Sequence, residues 1–139
     1  MAVGEEQLAV LLQASLDHAK ELLEDQGGFL PFGTRASPSG EVDFLEARSA
    51  GGAAIEAVYR QIGSMLADDA GQGKILAAAL VANAGLPEDV AFAYETAVSV
   101  QVEAPGFCHS IVAPYRLIGG VADFGDMVPE EADPIVFAG

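Results

Sequence analysis

Basic residues are scarce in this chain. Its 139 residues include six Lys and Arg against 21 Asp and Glu, and the formal net charge at pH 7 is -15. Affinity for nucleic acid begins with Lys and Arg side chains that displace counterions from phosphate groups, and anionic lipid headgroups likewise attract basic surfaces. We therefore expect no nucleic-acid partner and no membrane partner. The charge favours a basic partner instead.

Cysteine is also scarce: Cys108 is the only one, so an intramolecular disulfide is excluded. Nothing in this count indicates an oxidising compartment. Glu5 and Glu6 occupy the stretch in which a signal peptide needs Lys or Arg. The longest uncharged stretch, residues 75–87, is shorter than the ~20 residues that a membrane helix requires. These features predict a soluble protein of the cytoplasm.

Aromatic residues make up 7% of the chain and tryptophan is absent, whereas 51% of the residues are hydrophobic and many of these are alanine. Disordered chains combine a high net charge with too few apolar residues to form a core, so this composition predicts a folded protein. A chain of this length fits one domain, residues 1–139, with a core of small and aliphatic side chains.

Two segments carry apolar residues at the three- and four-residue spacing of an amphipathic helix. In residues 5–24 these are Leu8, Leu11, Leu12, Leu16, Ala19, Leu22 and Leu23. In residues 52–69 they are Ile55, Val58, Tyr59, Ile62, Met65 and Leu66. We expect one helix in each segment, and Gly27 and Gly28 are suited to end the first.

The segments that follow the two helices predict strands. Residues 29–47 form a hairpin around the turn Ser37-Pro38-Ser39-Gly40, in which proline presets the backbone and glycine suits the exit. The run that begins at Lys74 contains Ala77-Ala78-Ala79, which suits a helix equally well, but its place in the chain favours a strand.

The strongest strand pattern covers residues 90–103. Val98, Val100 and Val102 share one face, which we expect to lie beneath the two helices, whereas the other face meets water. Pro105-Gly106 predicts a turn into a returning strand over residues 107–117, where Pro114 marks an edge, a bulge or a strand end. A short strand over residues 121–124 and an acidic loop over residues 128–133 complete the pattern.

The order is thus a helix, two strands, a helix, and then three or four strands. The connections between the late strands are too short for the crossovers that parallel strands need. We therefore expect an α+β domain in which the two amphipathic helices pack on one face of a mainly antiparallel sheet.

Two short motifs resemble a group of small uncharacterised bacterial α+β proteins. The first is the GGF-x-PFG-like entry Gly27-Gly28-Phe29-Leu30-Pro31-Phe32-Gly33, and the second is the PYR-like step Ala113-Pro114-Tyr115-Arg116 of a late strand. The group also has a closing segment that ends in Phe, here Ile135-Val136-Phe137. The resemblance spans most of the chain. It implies a fold and carries over no catalytic residues.

No local pattern amounts to a catalytic, metal-binding or cofactor-binding signature. Cys108 and His109 are neighbours on a predicted strand, so their side chains point to opposite faces and cannot form a nucleophile pair. Geometry still allows the Cys108 thiol to pair with the His18 imidazole. The acidic clusters lack EF-hand spacing and histidine companions. We expect no metal, no cofactor and no enzymatic activity.

Catalytic carboxylates are the exception, because they can converge from distant positions without a local motif. The strand carboxylates Glu46, Glu95 and Glu103 would support an enzyme if two of them met in an enclosed cleft.

The arginines carry the remaining evidence for a site. In a chain with so few cations, Arg116 beside Tyr115, and Arg35 in the first hairpin, are suited to bind a carboxylate or phosphate in bidentate fashion. The alternative is that each arginine pairs with one of the 21 acidic residues. If a ligand pocket lies between helices and sheet, we expect Phe32, Arg35, Tyr115 and Arg116 near its mouth.

The sequence thus favours a non-catalytic protein-binding or accessory domain that forms a homodimer. The second face of the 90–103 strand, rich in Ala, Ser and Gln, is expected to lie against another subunit. The alternative is a small-ligand-binding protein or an enzyme with a pocket between helices and sheet. A flat apolar patch rimmed by acids favours the first function, and a concave pocket with converging polar groups favours the second.

Overall fold

The computed structural model describes residues 5–27, 29–46, 55–85, 96–130 and 132–137. These residues form the helices α1 (Glu5–Gln26) and α2 (Ile55–Gly71). They also form seven strands: β1 (Phe32–Ala36), β2 (Val42–Glu46), β3 (Ala77–Gly85), β4 (Thr96–Ala104), β5 (Phe107–Ile118), β6 (Val121–Phe124) and β7 (Val128–Glu130). The predicted α+β class is confirmed.

The strands form one sheet in the order β2-β1-β3-β4-β5-β6, with β7 also paired to β5. Every adjacent pair is antiparallel. The acidic stretch 128–133, predicted as a loop, contains β7. The first part of the predicted strand 90–103 and the first part of the predicted helix 52–69 lie outside the described residues.

The two helices lie on opposite faces of the sheet, which differs from the expectation of one shared face. α1 belongs to the cluster that contains Ala77, Ala79 and Val81, whereas α2 belongs to the cluster that contains Ala78 and Leu80. Successive residues of a strand point to opposite faces, so β3 is covered by α1 on one side and by α2 on the other.

This double burial explains the triple alanine in β3. Ala77, Ala78 and Ala79 have no exposed surface. A strand that is buried on both faces has no need to alternate apolar and polar residues, so its sequence lacks the two-residue period that would distinguish it from a helix.

α2 approaches the sheet closely at a glycine. A Cβ on Gly33 would lie 2.9 Å from Leu66 Cδ1 and 3.2 Å from Ile62 Cγ2, shorter than ordinary van der Waals contact. The missing side chain of Gly33 therefore lets α2 pack directly on β1. No helix that the structure describes has the length and apolar character needed to cross a membrane.

β4 is also buried on both faces. Val98, Val100 and Val102 are at most 5% exposed, as predicted, and they belong to the α1 cluster and not to the α2 cluster that contains Ile62. On the opposite face, Ala97 and Gln101 are at most 6% exposed, and Glu103 is fully buried. The expectation that this second face meets water, or lies against another subunit, is therefore wrong for these residues.

Two tight turns fix the register of the late strands. The predicted Pro105-Gly106 turn joins β4 to β5, and Gly106 has a φ of 75°. Gly119 and Gly120 join β5 to β6 with φ values of 57° and 82°. These positive angles favour glycine because it has no Cβ to clash with the backbone.

Pro114 lies inside β5, where the outer neighbour of this strand changes from β7 to β6. Its carbonyl oxygen accepts a hydrogen bond from the Gly125 N–H at 2.8 Å. The backbone N and C=O of one residue point to the same side of an extended strand. The proline nitrogen therefore faces the gap between the two outer strands, where its missing N–H interrupts no ladder.

Val100→Asp should unfold the protein or destabilise it by about 4 kcal/mol or more, because an unpaired charge would enter a dry core. Val100 is fully buried, whereas Val10 on α1 is 53% exposed and serves as the matched control. Val10→Asp should change the free energy of unfolding by no more than about 0.5 kcal/mol. Urea titration followed by circular dichroism compares the two variants. Equal midpoints for Val100→Asp and the parent protein would show that the core lies elsewhere.

Candidate functional site

The four residues predicted at a ligand mouth do not come together. Phe32 and Arg35 lie on β1, and Tyr115 and Arg116 lie on β5, with β3 and β4 between them. At ~4.8 Å between neighbouring strands, β1 and β5 are about 14 Å apart. The strand alternation also places Phe32 and Tyr115 on the α1 face and both arginines on the α2 face.

The two aromatic members of this set are core residues. Phe32 is 1% exposed, and its ring contacts those of Phe29, Phe44 and His18. Tyr115 is 3% exposed, and its hydroxyl donates a hydrogen bond to Asn83 Oδ1 at 2.8 Å. Both side chains are therefore held by packing inside the domain.

Arg116 is exposed at the other end of the sheet. Its Nε lies 3.3 Å from Asp123 Oδ2 on β6, directly across the β5-β6 pair. Both side chains are about half exposed, and pairs of this kind contribute little to stability because water screens them.

Arg35 lines an open cleft of about 530 Å³ at the end of the β1-β2 hairpin. Its Nε and Nη2 donate to the two carboxylate oxygens of Asp43 at 2.8 and 3.0 Å, and its Nη1 donates to Asp69 Oδ2 at 3.3 Å. The Asp43 hydrogen bonds, with a smaller contribution from Asp69, raise the pKa of Arg35. The remaining lining residues are Ser37, Glu41, Val42, Lys74 and Ile75.

On the same face of the sheet, two strands away from Arg35, a buried carboxylate on β4 holds a segment of backbone. Glu103 Oε1 accepts the N–H groups of Ile135, Val136 and Phe137 at 3.0, 2.9 and 3.1 Å. Gln101 Nε2 donates to Glu103 Oε2 at 2.9 Å and to the Asp133 carbonyl oxygen at 2.9 Å. Residues 132–137 are thus bound to the α2 face of β4, and we call them the 132–137 segment.

Two ionisable groups lie near Glu103. Burial, followed by the negative charges of Glu103 and Asp133, raises the pKa of the Cys108 thiol. Burial and the charge of Glu103, then Cys108, raise the pKa of Tyr59. Both groups are therefore protonated at neutral pH. Cys108 donates a hydrogen bond to the Ala132 carbonyl oxygen at 3.4 Å, and its thiol is a poor nucleophile in this state.

The possible pairs of catalytic groups are separated by the sheet. Cys108 is paired with Glu103 in the β4-β5 register and points to the α2 face, whereas His18 stacks on Phe44 at a centroid distance of 4.1 Å on the α1 face. His18 Nε2 is instead hydrogen-bonded to Glu46. Glu46 and Glu103 therefore lie on opposite faces, and Glu95, the third predicted carboxylate, lies outside the described residues.

Among the residues that the structure describes, no three His, Cys, Asp or Glu side chains are grouped so that they could hold a metal ion. The carboxylates described above are bonded to arginine, histidine or backbone N–H groups.

The turn between β5 and β6 presents large apolar side chains to solvent. Leu117, Ile118 and Val121, here called the hairpin end, are 41%, 55% and 55% exposed. Ile118 and Val121 are direct partners across the Gly119-Gly120 turn. The sequence gives one sign of this exposed cluster, because large aliphatic residues flank Gly119 and Gly120. The predicted strands alone did not show that these side chains lie outside the core.

The outer edge of β6 is partly closed by α1. Glu24 Oε2 accepts a hydrogen bond from the Ala122 N–H at 3.0 Å. This bond, followed by that from Lys20, lowers the pKa of Glu24. The Ala122 N–H on β6 is therefore already hydrogen-bonded and is not available to the backbone of a partner strand.

Comparison with protein-family models, with curated proteins and with solved structures found no match to this chain. The resemblance to small bacterial α+β proteins therefore stays a prediction.

Glu103→Gln should destabilise the protein by about 2 to 3 kcal/mol. The amide replaces a charged acceptor, and in either orientation its NH2 group faces a donor, Gln101 Nε2 or the backbone N–H groups, that then loses its partner. Glu21→Gln, an exposed position on α1, is the matched control and should stay within about 0.5 kcal/mol of the parent. Urea-induced unfolding gives both values. A Glu103→Gln midpoint equal to that of Glu21→Gln would mean that the charge of Glu103 adds nothing to stability.

Proposed function

We propose that this protein is a non-catalytic protein-binding domain that forms a homodimer through the hairpin end. The observation that carries this proposal is the exposure of Leu117, Ile118 and Val121 on one turn. Ile118 and Val121 share one face of the hairpin, and Leu117 lies on the other face by strand alternation. Large apolar side chains that are exposed close together are typical of protein-binding sites.

The state of the polar side chains supports a non-catalytic role. Arg35 is bonded to two aspartates, Glu103 to three backbone N–H groups, and His18 to Glu46. Catalytic groups need a free acceptor or donor for the reacting atoms. Each of these side chains instead uses its polar atoms to hold the fold.

A small-ligand function is the second candidate, because the cleft beside Arg35 has room for a ligand. Its walls combine Arg35 and Lys74 with Glu41, Asp43 and Asp69. Arg35 already binds two of these carboxylates, so the cleft favours a cationic group over the carboxylate or phosphate that the sequence suggested.

A reducing compartment is consistent with this proposal. The single thiol, Cys108, is bonded to a backbone carbonyl. We propose the cytoplasm as the location on this ground and on the cysteine count.

Salt distinguishes a homodimer from a complex with a basic partner. Two copies of a chain with a charge of -15 repel each other, and salt screens that repulsion while leaving the apolar contact intact. Homodimers should therefore strengthen as the salt concentration rises. A complex with a basic partner should weaken.

Light scattering should return a dimer mass at tens of micromolar protein, with a larger dimer fraction at about 0.5 M salt than at about 0.15 M. Ile118→Asp should raise the dissociation constant at least about tenfold, because it places charges in the contact. Val10→Asp, which changes a residue of similar exposure on α1, is the control and should leave the constant unchanged. A monomer mass at both salt concentrations would exclude the homodimer.

A further inference from the structure

The outer edge of β2 has open backbone groups. The Ser37 N–H donates to the Glu41 carbonyl oxygen at 2.9 Å, so the backbone groups of Glu41, and by alternation those of Asp43 and Leu45, face β1. The groups of Val42, Phe44 and Glu46 then face outward. None of the strands that the structure describes pairs with this outer edge.

The outward backbone groups of β2 have no partner strand among the described residues, whereas one of those on β6 is already bonded. β6 has its Ala122 N–H occupied by the Glu24 carboxylate. β2 presents five residues, enough for the short ladder that peptide recognition by strand addition uses.

Acidic side chains line this open edge. The Asp43 and Glu46 side chains are 66% and 49% exposed, and Glu41 is also exposed at the start of the strand. Like charges placed opposite each other across two strands destabilise their pairing. The edge therefore disfavours a second copy of this chain, whose own β2 would bring the same acids.

The cleft beside Arg35 adjoins the same edge. In an added strand, the residue opposite Asp43 would place its Cβ about 5 Å from that of Asp43, on the face where the cleft opens. Asp43 and Asp69 each bind Arg35, but a carboxylate has further lone-pair sites for a second donor. A long basic side chain at that position would therefore face the Asp43 carboxylate and the acidic wall of the cleft.

We infer that the outer edge of β2 binds an extended, basic segment of a partner protein by strand addition. Backbone hydrogen bonds to Val42 and Phe44 supply the ladder, and the acids of the edge and cleft select Lys or Arg on the partner. This inference rests on the protein-binding function proposed above and adds a surface separate from the hairpin end.

The test uses synthetic peptides of about eight residues, the length of an ordinary strand. The first alternates Lys and Val, the second alternates Glu and Val, and the third repeats the Lys-Val sequence with N-methyl groups on alternate backbone nitrogens. Calorimetric titration should detect binding of the first peptide alone. Nuclear magnetic resonance should then show slower exchange of the Val42 and Phe44 amides in the complex.

Two variants separate the backbone contribution from the side-chain contribution. Val42→Pro removes the outward N–H and should weaken binding of the Lys-Val peptide about five- to tenfold relative to Val42→Ala, which removes the same side chain and keeps the N–H. Glu41→Gln should weaken binding about twofold to fivefold, whereas Glu21→Gln on α1 should not change it.

Equal binding of the N-methylated peptide, equal binding by Val42→Pro and Val42→Ala, or no binding at about 1 mM peptide would each overturn the inference. A homodimer in which the β2 amides become protected would overturn it as well, because a second copy would then be the occupant. Peptide binding by a monomeric protein would contradict only the proposed homodimer, and a dimer that binds no peptide would contradict only this inference.

Discussion

The buried carboxylate of Glu103 is the interaction on which the rest of the structure depends. An ionised group without partners in a dry interior costs far more than a domain of this size can offset. Glu103 has no exposed surface, yet its oxygens accept bonds from Gln101 and from three consecutive backbone N–H groups. Hydrogen bonds to a charged acceptor are roughly twice as strong as neutral ones. The charge of Glu103 therefore requires the 132–137 segment to lie on the α2 face.

The 132–137 segment and α2 together cover one face of the sheet, and α1 covers the other. A Cβ on Gly63 of α2 would lie 3.0 Å from Ile135 Cγ2, so the helix and the segment are in close contact. With α1 on the other face, the described residues of the central strands β3 and β4 are buried or half-buried. The sheet margins that stay exposed among the described residues include the apolar hairpin end and the acidic edge of β2. The proposed protein-binding function places its contacts at these two margins.

The sequence predicted local structure well and face assignment poorly. Periodicity located α1, and turn residues located the hairpins, because both signals are local. The opposite placement of α2 depends on a close approach at Gly33, which no periodicity reports. Glu103 was predicted to face water because it alternates with Val102, and only a distant segment makes its burial possible. The predicted mouth of Phe32, Arg35, Tyr115 and Arg116 failed to converge for the same reason, since strand order was not available from the sequence.

Amide hydrogen exchange at Ile135, Val136 and Phe137 tests this account most directly. If Glu103 binds the three N–H groups, their exchange should be slowed to the range of the amides in β4, since both would open only with the unfolding of the domain. Exchange at the rate of an unstructured peptide at all three positions, with β4 still protected, would contradict the account. The 132–137 segment would then be free of the sheet, and Glu103 would need another partner.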